Sequence, residues 1–291
     1  MMRDNRTAGN DAGNALIKEI DETILPYGMV ALWCLGQASF IVKGGSTTIY
    51  IDPFTIEDAL AESRYGLRRA YPSAVRPEEI TNADYCLITH DHVDHLDPDT
   101  IHAMAAQARE TLFFAPACCR ETLLGRGVRA ERFHIADTGK EYSGQAVIKP
   151  IAAAHEELST DRDGFHEYIG YIIRLNGVTL YHAGDTLIYE GLQARLREEE
   201  VDLGLLPING RDFYRSERGI VGNMNYREAA ELASGAGFKM TVPMHYDLFA
   251  GNAERPGYFV DYVYDHFPSL PIHVMARGER FIYAAASAVK S

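Results

Sequence analysis

The chain is short of several things. Nowhere does an apolar run approach the length that a membrane-spanning helix needs. The first residues, Met1 to Arg6, lack the apolar segment of a secretory leader. Cysteine is scarce, four residues in 291. Cys118 and Cys119 are adjacent and make a poor structural disulfide, and none of the four has the spacing of a metal knuckle. Buried thiols in a reducing cytoplasm are the favoured reading. Basic residues are outnumbered, 28 Lys and Arg against 41 Asp and Glu, for a formal charge of -13. A binder of nucleic-acid polymers needs the opposite sign, because that affinity is mostly cationic. The expectation is a cytoplasmic protein with no membrane and no nucleic acid polymer among its partners. A local basic pocket for one small anion is still open to it.

What the chain does have is 46% hydrophobic residues in short runs, enough for a sizeable core. Residues 1–28 read as an N-terminal extension carrying a peripheral helix, Ala15 to Leu25. From Met29 the texture becomes β. Val30 to Cys34, Ser39 to Val42 and Thr47 to Ile51 are expected as strands separated by glycine turns. Thr55 to Glu79 reads as a short helix and loops, its arginines as a solvated face. Tyr85 to Thr89 is a buried strand, Asp99 to Thr111 a helix begun by the cap Asp97-Pro98, and Leu112 to Ala115 a strand. Further strands are expected over Gln145 to Ala154, Tyr168 to Leu175, Val178 to His182, Val201 to Ile208, Met240 to Met244, Ile272 to Met275 and Arg280 to Ala284. Asn176-Gly177 is a strong hairpin signal. Helices are expected over Ala117 to Leu124, Gly191 to Glu199, Asn223 to Ala236 and Tyr258 to Phe267. The β runs fall into two sets, before and after about residue 160. They predict an α/β (α+β) fold of two sheets face to face with helices outside, in a single domain spanning 1–291.

One stretch organises the rest. Thr89-His90-Asp91-His92-Val93-Asp94-His95-Leu96-Asp97 carries the spacing His-x-His-x-Asp-His just past a strand. Neutral imidazole and carboxylate are ligands for zinc, manganese or iron. Without a metal, such crowding of titratable groups gains nothing. His155, Asp185 and His245 also stand just past hydrophobic strands, and the C-terminal edge of a sheet is where α/β proteins build sites. Together these residues complete two sets. His90, His92 and His155 suit one ion; Asp94, His95 and His245 suit a second, with Asp185 bridging. Two such ions, zinc or manganese with iron as a further choice, would produce hydroxide at neutral pH and polarise a substrate oxygen. Asp94 doubles as the proton acceptor beside the attacking water. Asp52 closes an early strand and is either a turn-former or the carboxylate that orients a metal-bound histidine.

Other residues carry two readings each. His166, in a polar loop, is substrate-facing or solvated. Arg211, Tyr214 and Arg218 follow an apolar strand and suit capture of a phosphate or carboxylate; salt-bridged surface is the competing reading. His182 reads as core, and His102, His134, His266 and His273 as structural.

The set His90-Asp91-His92-Val93-Asp94-His95, Ala154-His155, Ala183-Gly184-Asp185-Thr186 and Pro243-Met244-His245 resembles the metallo-β-lactamase fold superfamily across most of the chain. That resemblance implies a four-layer αββα sandwich of two mixed sheets with its metal site at one sheet edge, and makes Asp52 the match to the superfamily's supporting aspartate. A narrower resemblance, to the L-ascorbate-6-phosphate lactonase branch, rests on Ala31 to Gly36, Ile88 to His92, Leu180 to Asp185, Arg218-Gly219-Ile220 and Val242 to Leu248. Some members of that branch carry aspartate where this chain has His155, and the full histidine set is more like a general dinuclear hydrolase. The resemblance implies attack on a lactone carbonyl of a small anionic substrate, and a homo-oligomer. The alternative is a phosphodiesterase acting on a cyclic nucleotide or other small phosphodiester. A thioester hydrolase is disfavoured by the short stretch after His245, and a di-iron redox protein by His92, where glutamate is usual. A metal-binding scaffold without chemistry sits badly with a complete ligand set.

Overall fold

Apolar side chains on both faces of its strands build the first sheet. The computed structural model describes residues 15–108 and 110–286. In it β1 (Met29–Gly36), β2 (Ser39–Gly44), β3 (Thr47–Ile51), β4 (Tyr85–Leu87), β5 (Leu112–Ala115) and β6 (Phe133–Ile135) lie side by side in that order. Val30, Leu32, Phe40, Val42, Ile49, Ile51 and Leu87 point one way, into a core shared with the second sheet. Ala31, Trp33, Ile41, Tyr50 and Cys86 point the other way, into a separate core under the outer helices. That division is what a side-chain period of two requires when both faces are covered.

The second sheet comprises β7 (Tyr142–Ser143), β8 (Val147–Ala152), β11 (Ile169–Leu175), β12 (Val178–His182), β13 (Leu203–Pro207) and β14 (Met240–Met244), in the order β14-β13-β12-β11-β8-β7. A small hairpin of β9 (Ala154–His155) and β10 (Glu157–Leu158) stands beside it. Both sheets are mixed. β1 to β3 pair antiparallel and β3 to β6 parallel. β7, β8, β11 and β12 pair antiparallel, and β12 to β14 parallel. The last strand, β15 (Arg280–Ala284), returns to the first sheet and pairs antiparallel with β1. The expected boundary near residue 160 is therefore corrected: the chain changes sheets between β6 and β7 and changes back at β15. Ile272 to Met275, expected as a strand, makes only a bridge from Ile272 to Thr241.

Local signals account for the main junctions. Asn176 and Gly177 take φ of 50° and 80°, the conformation of a two-residue hairpin loop, and join β11 to β12 in the register Leu175 to Val178. The Asp97 carboxylate accepts from the Asp99 amide and Pro98 opens the helix Pro98–Gln107, which stops one turn short of the expected Thr111. Asn225 and Glu228 form a capping box at the start of Tyr226–Ala236, and Gly237 ends that helix with φ 76°. Residues 15–22 are helical and lie on the outer face of the first sheet. Ile17 and Ile20 join the core around Trp33, whose indole donates to Glu19 Oε1 at 2.8 Å. All four cysteines are free thiols. Among the described residues no helix is long and apolar enough to cross a membrane.

Candidate metal centre

Five strand ends meet at one edge of the two sheets. Asp52 follows β3, residues 89–95 follow β4, His155 ends β9, Asp185 lies three residues past β12, and His245 follows β14. Four cross-sheet hydrogen bonds hold that edge together. Ile169 N donates to Thr89 O at 3.1 Å, and His245 N donates to Gln37 O at 2.9 Å. Tyr171 Oη donates to Ile88 O at 2.7 Å, and His182 Nε2 donates to Ala38 O at 2.8 Å. His182 is thus a buried structural histidine. Gly184 has φ +62°, and a Cβ there would sit 2.7 Å from Ile169 O and 3.0 Å from Thr89 Cβ. Only glycine lets Asp185 approach so closely to the loop after β4.

The side chains converge as the spacing implies. His90, His92 and His155 can bring one ligand atom each within 4.8 Å of one another, as can Asp94, His95 and His245, and as can His90, His95 and Asp185. His90 Nε2 lies 3.0 Å from His92 Nδ1. Asp185 Oδ2 is 3.2 Å from His245 Nε2 and 3.9 Å from His155 Nε2, while Asp185 Oδ1 is 3.5 Å from His95 Nε2. Asp185 therefore sits between the two sets. His95 Nε2 and Asp185 Oδ1 are both buried with no hydrogen-bond partner. Leaving two such atoms facing each other costs free energy unless a proton or a metal cation lies between them. The donor set of imidazoles and carboxylates fits a divalent transition metal.

Asp52 fixes this arrangement from beneath. Fully buried, it accepts from Thr89 N at 2.8 Å through Oδ1 and from Thr89 Oγ1 at 2.7 Å through Oδ2. Its Oδ2 also lies 2.7 Å from His95 Nδ1. That contact puts the His95 proton on Nδ1 and turns the Nε2 lone pair toward the centre. Asp52 thus orients an imidazole of the cluster as well as closing a strand. Burial alone would lower the His95 pKa, but the Asp185, Asp94 and Asp52 carboxylates together hold it well above the usual histidine value. Burial holds His90 well below that value and His155 down to about 4. Burial also pushes Asp185 up, yet the neighbouring His245 and His95 bring it well below the ordinary carboxylate range.

Gln37 is a residue the sequence reading missed. It is buried, and its amide Nε2 lies 3.1 Å from both Asp94 Oδ2 and His245 Nε2. Six non-glycine residues among those described have positive φ; Gln37 (56°), Asp52 (45°) and His245 (60°) are at the centre and Glu156 follows His155. Strained backbone of this kind concentrates at functional sites. The available signal was position, since Gln37 follows β1 at the same edge as the ligands.

A cavity of about 660 Å³ opens over the cluster, with His92, Asp94, His155, Asp185 and His245 in its lining. Leu67, Arg68, Arg69, Ile220, Val221 and Phe249 are among the other lining residues. Arg211, Tyr214, Arg218 and His166 are not among them. Arg211 is held by both oxygens of Glu228 at 2.7 and 2.8 Å. Arg218 stacks on the Tyr214 ring at 3.6 Å. His166 Nδ1 bonds Asp137 Oδ1 at 2.7 Å. Arg69 was expected on a solvated face; instead it is buried, donating to Phe54 O at 2.9 Å and Tyr71 O at 3.2 Å, with Asp58 at 3.3 Å.

Two mixed sheets with a histidine and aspartate cluster at their shared edge define the metallo-β-lactamase fold class. The family model described as the beta-lactamase superfamily domain matches residues 47–246, and the chain belongs to that family. A relative from Carboxydothermus hydrogenoformans named UPF0173 metal-dependent hydrolase is 30% identical over 231 residues, 78% of this chain and 89% of that protein. A protein from Escherichia fergusonii named "Probable L-ascorbate-6-phosphate lactonase" is 22% identical over 277 residues, 84% of this chain and 77% of its own length. Among solved structures, a metallo hydrolase from Ignicoccus hospitalis superposes with a TM-score of 0.67 at 24% identity, covering 88% of this chain and 98% of the other.

Proposed function

We propose that the protein is a metal-dependent hydrolase acting on a small anionic substrate, a sugar-phosphate lactone or a close chemical relative. The observation that carries this reading is the pair of unpartnered buried atoms, His95 Nε2 and Asp185 Oδ1, 3.5 Å apart beneath an open cavity. His90, His92 and His155 would hold one divalent ion, and Asp94, His95 and His245 a second, with Asp185 shared between them. Zinc, manganese or iron bound there would supply a Lewis acid for the substrate oxygen and a water of lowered pKa.

The chain's own groups have separate tasks. Asp94 is half-buried and lines the cavity, where its carboxylate accepts the proton of the attacking water. The Gln37 amide, 3.1 Å from Asp94 Oδ2, restrains that carboxylate. Asp52 and Thr89 keep His95 in one tautomer and orientation. The largely apolar cavity is sized for a small molecule. Lactone specificity is supported by the motifs shared with the ascorbate-phosphate lactonase branch and by the Escherichia fergusonii relative. The protein is read as cytoplasmic and homo-oligomeric, with the helix at residues 15–22 as one contact.

The test is metal content per chain after purification without added metal, together with hydrolysis of a phosphorylated sugar lactone and of a cyclic phosphodiester. Two equivalents of metal and lactone turnover are expected. Turnover of the phosphodiester alone would keep the centre and replace the substrate. No metal, and no activity after reconstitution with zinc, manganese or iron, would overturn the reading.

A further inference from the structure

Two adjacent arginines line the cavity and meet opposite fates. The Arg69 side chain is fully buried. Its charge faces Asp58, and it lies over the Phe54 ring at 5.0 Å. Arg68 lines the same cavity and is exposed. Among the described residues Arg68 makes no hydrogen bond, ion pair or ring contact. Arg69 forms an antiparallel bridge with Phe249, and in extended chain successive side chains point to opposite sides. With Arg69 turned into the protein, Arg68 is turned out.

The segment that carries Arg68 is held at several points. Ala70 N donates to Leu248 O at 2.7 Å. Tyr71 Oη donates to Asp247 Oδ1 at 2.6 Å. Arg64, Arg174 and Arg211, by contrast, are each neutralised by a carboxylate, Asp99, Glu199 and Glu228 respectively. An unmatched guanidinium on a fixed rail beside the cluster, in a chain of net charge -13, has an obvious use.

We infer that Arg68 is a specificity-determining residue, binding an oxyanion that the substrate carries away from the bond to be hydrolysed. A phosphate monoester suits the planar guanidinium fork, as does a carboxylate. This inference rests on the reading of the site as a hydrolase for small anions, and deepens it by naming the group that recognises the anion.

The first test needs no turnover. Metal-loaded full-length protein is titrated by calorimetry with glucose 6-phosphate and with glucuronate, which offer phosphate and carboxylate but no lactone bond. Arg68→Ala is expected to weaken binding of one or both about tenfold, at the lower end for a charged hydrogen bond because the site is open to water. Arg68→Lys should lose less and Arg68→Glu more. Whichever probe responds identifies the anion. Equal affinity for wild type, Arg68→Ala and Arg68→Glu would overturn the inference, as would no binding of either probe by wild type.

The second test uses gluconolactone and its 6-phosphate as substrates. Arg68→Ala should lower the preference for the phosphorylated lactone about tenfold, through KM rather than kcat. A wild type that hydrolyses neither lactone would remove the lactone reading, and the calorimetry would still judge Arg68. Equal losses on both lactones would overturn its role in specificity.

Discussion

Replacing Asp52 should separate the fold's contribution to the centre from the ligands' own. Its carboxylate serves three donors, Thr89 N, Thr89 Oγ1 and His95 Nδ1, at 2.7 to 2.8 Å. It is fully buried, so no solvent can replace it. Asp52→Ala strands those donors, and one unsatisfied buried group costs about 1–3 kcal/mol. A total near 3–5 kcal/mol, typical of a broken buried charged contact, is expected. At roughly 2 °C per kcal/mol in a chain of this size, Tm falls by about 6–10 °C. Asp52→Asn is the sharper probe because it keeps the shape. An amide has one acceptor oxygen and must present an N–H elsewhere, so His95 Nδ1 and the Thr89 donors compete for a single partner. His95 then loses the preference for its Nδ1 tautomer, and metal affinity should fall about 10- to 100-fold. The assay is a titration with zinc or manganese against a competing chelator, with Tm recorded with and without metal. Wild-type affinity in Asp52→Asn would refute the argument that this carboxylate sets the tautomer.

Other outcomes follow from the same geometry. His155 is held to about 4 by burial, below the ordinary value near 6.5, so the unfolded chain takes up its proton first. Metal-free protein should therefore lose stability as pH falls from about 6.5 to about 4, by on the order of 3 kcal/mol, and denaturant titrations at several pH values would show it. Asp185, also depressed, pushes the same way at lower pH. His95, raised well above the usual histidine value, carries a proton that a metal must displace. Loading at neutral pH should therefore release protons, measurable by calorimetry in buffers of different ionisation enthalpy; no buffer dependence would contradict it. Arg69→Ala should cost about 2–3 kcal/mol, because it leaves two backbone carbonyls without their donor, and thermal melts would report it. Gly184→Ala puts a Cβ against Ile169 O and Thr89 and should lower metal affinity more than Tm.

The central cluster was legible because its residues are local in sequence or sit at strand ends marked by hydrophobic runs. His90 to His95 declared themselves by spacing, and His155, Asp185 and His245 by position. The hairpin at Asn176-Gly177 was equally plain, since its conformation is chosen by the two residues that adopt it. Long-range facts left no such mark. Nothing near Arg280 to Ala284 says that this strand seeks β1, and the two-residue strands are too short for any period. Arg211 follows an apolar strand as the ligands do, but Gly210 at φ 76° turns the chain and Glu228, one helical turn into Tyr226–Ala236, takes its charge. Arg68 and Arg69 look alike in the sequence; the bridge to Phe249 turns Arg69 inward as an anchor and leaves Arg68 exposed.

The pairing of β15 with β1 also bears on how the chain is made. Synthesis releases β1 some 240 residues before its outer neighbour. Until Arg280 to Ala284 leave the ribosome, the β1 edge carries an unpaired row of amides and carbonyls beside Leu32 and Trp33. Such an edge is a template for pairing with other chains. Pairing with β15 is therefore a closing seam, and the nascent chain carries this open edge until that strand has emerged.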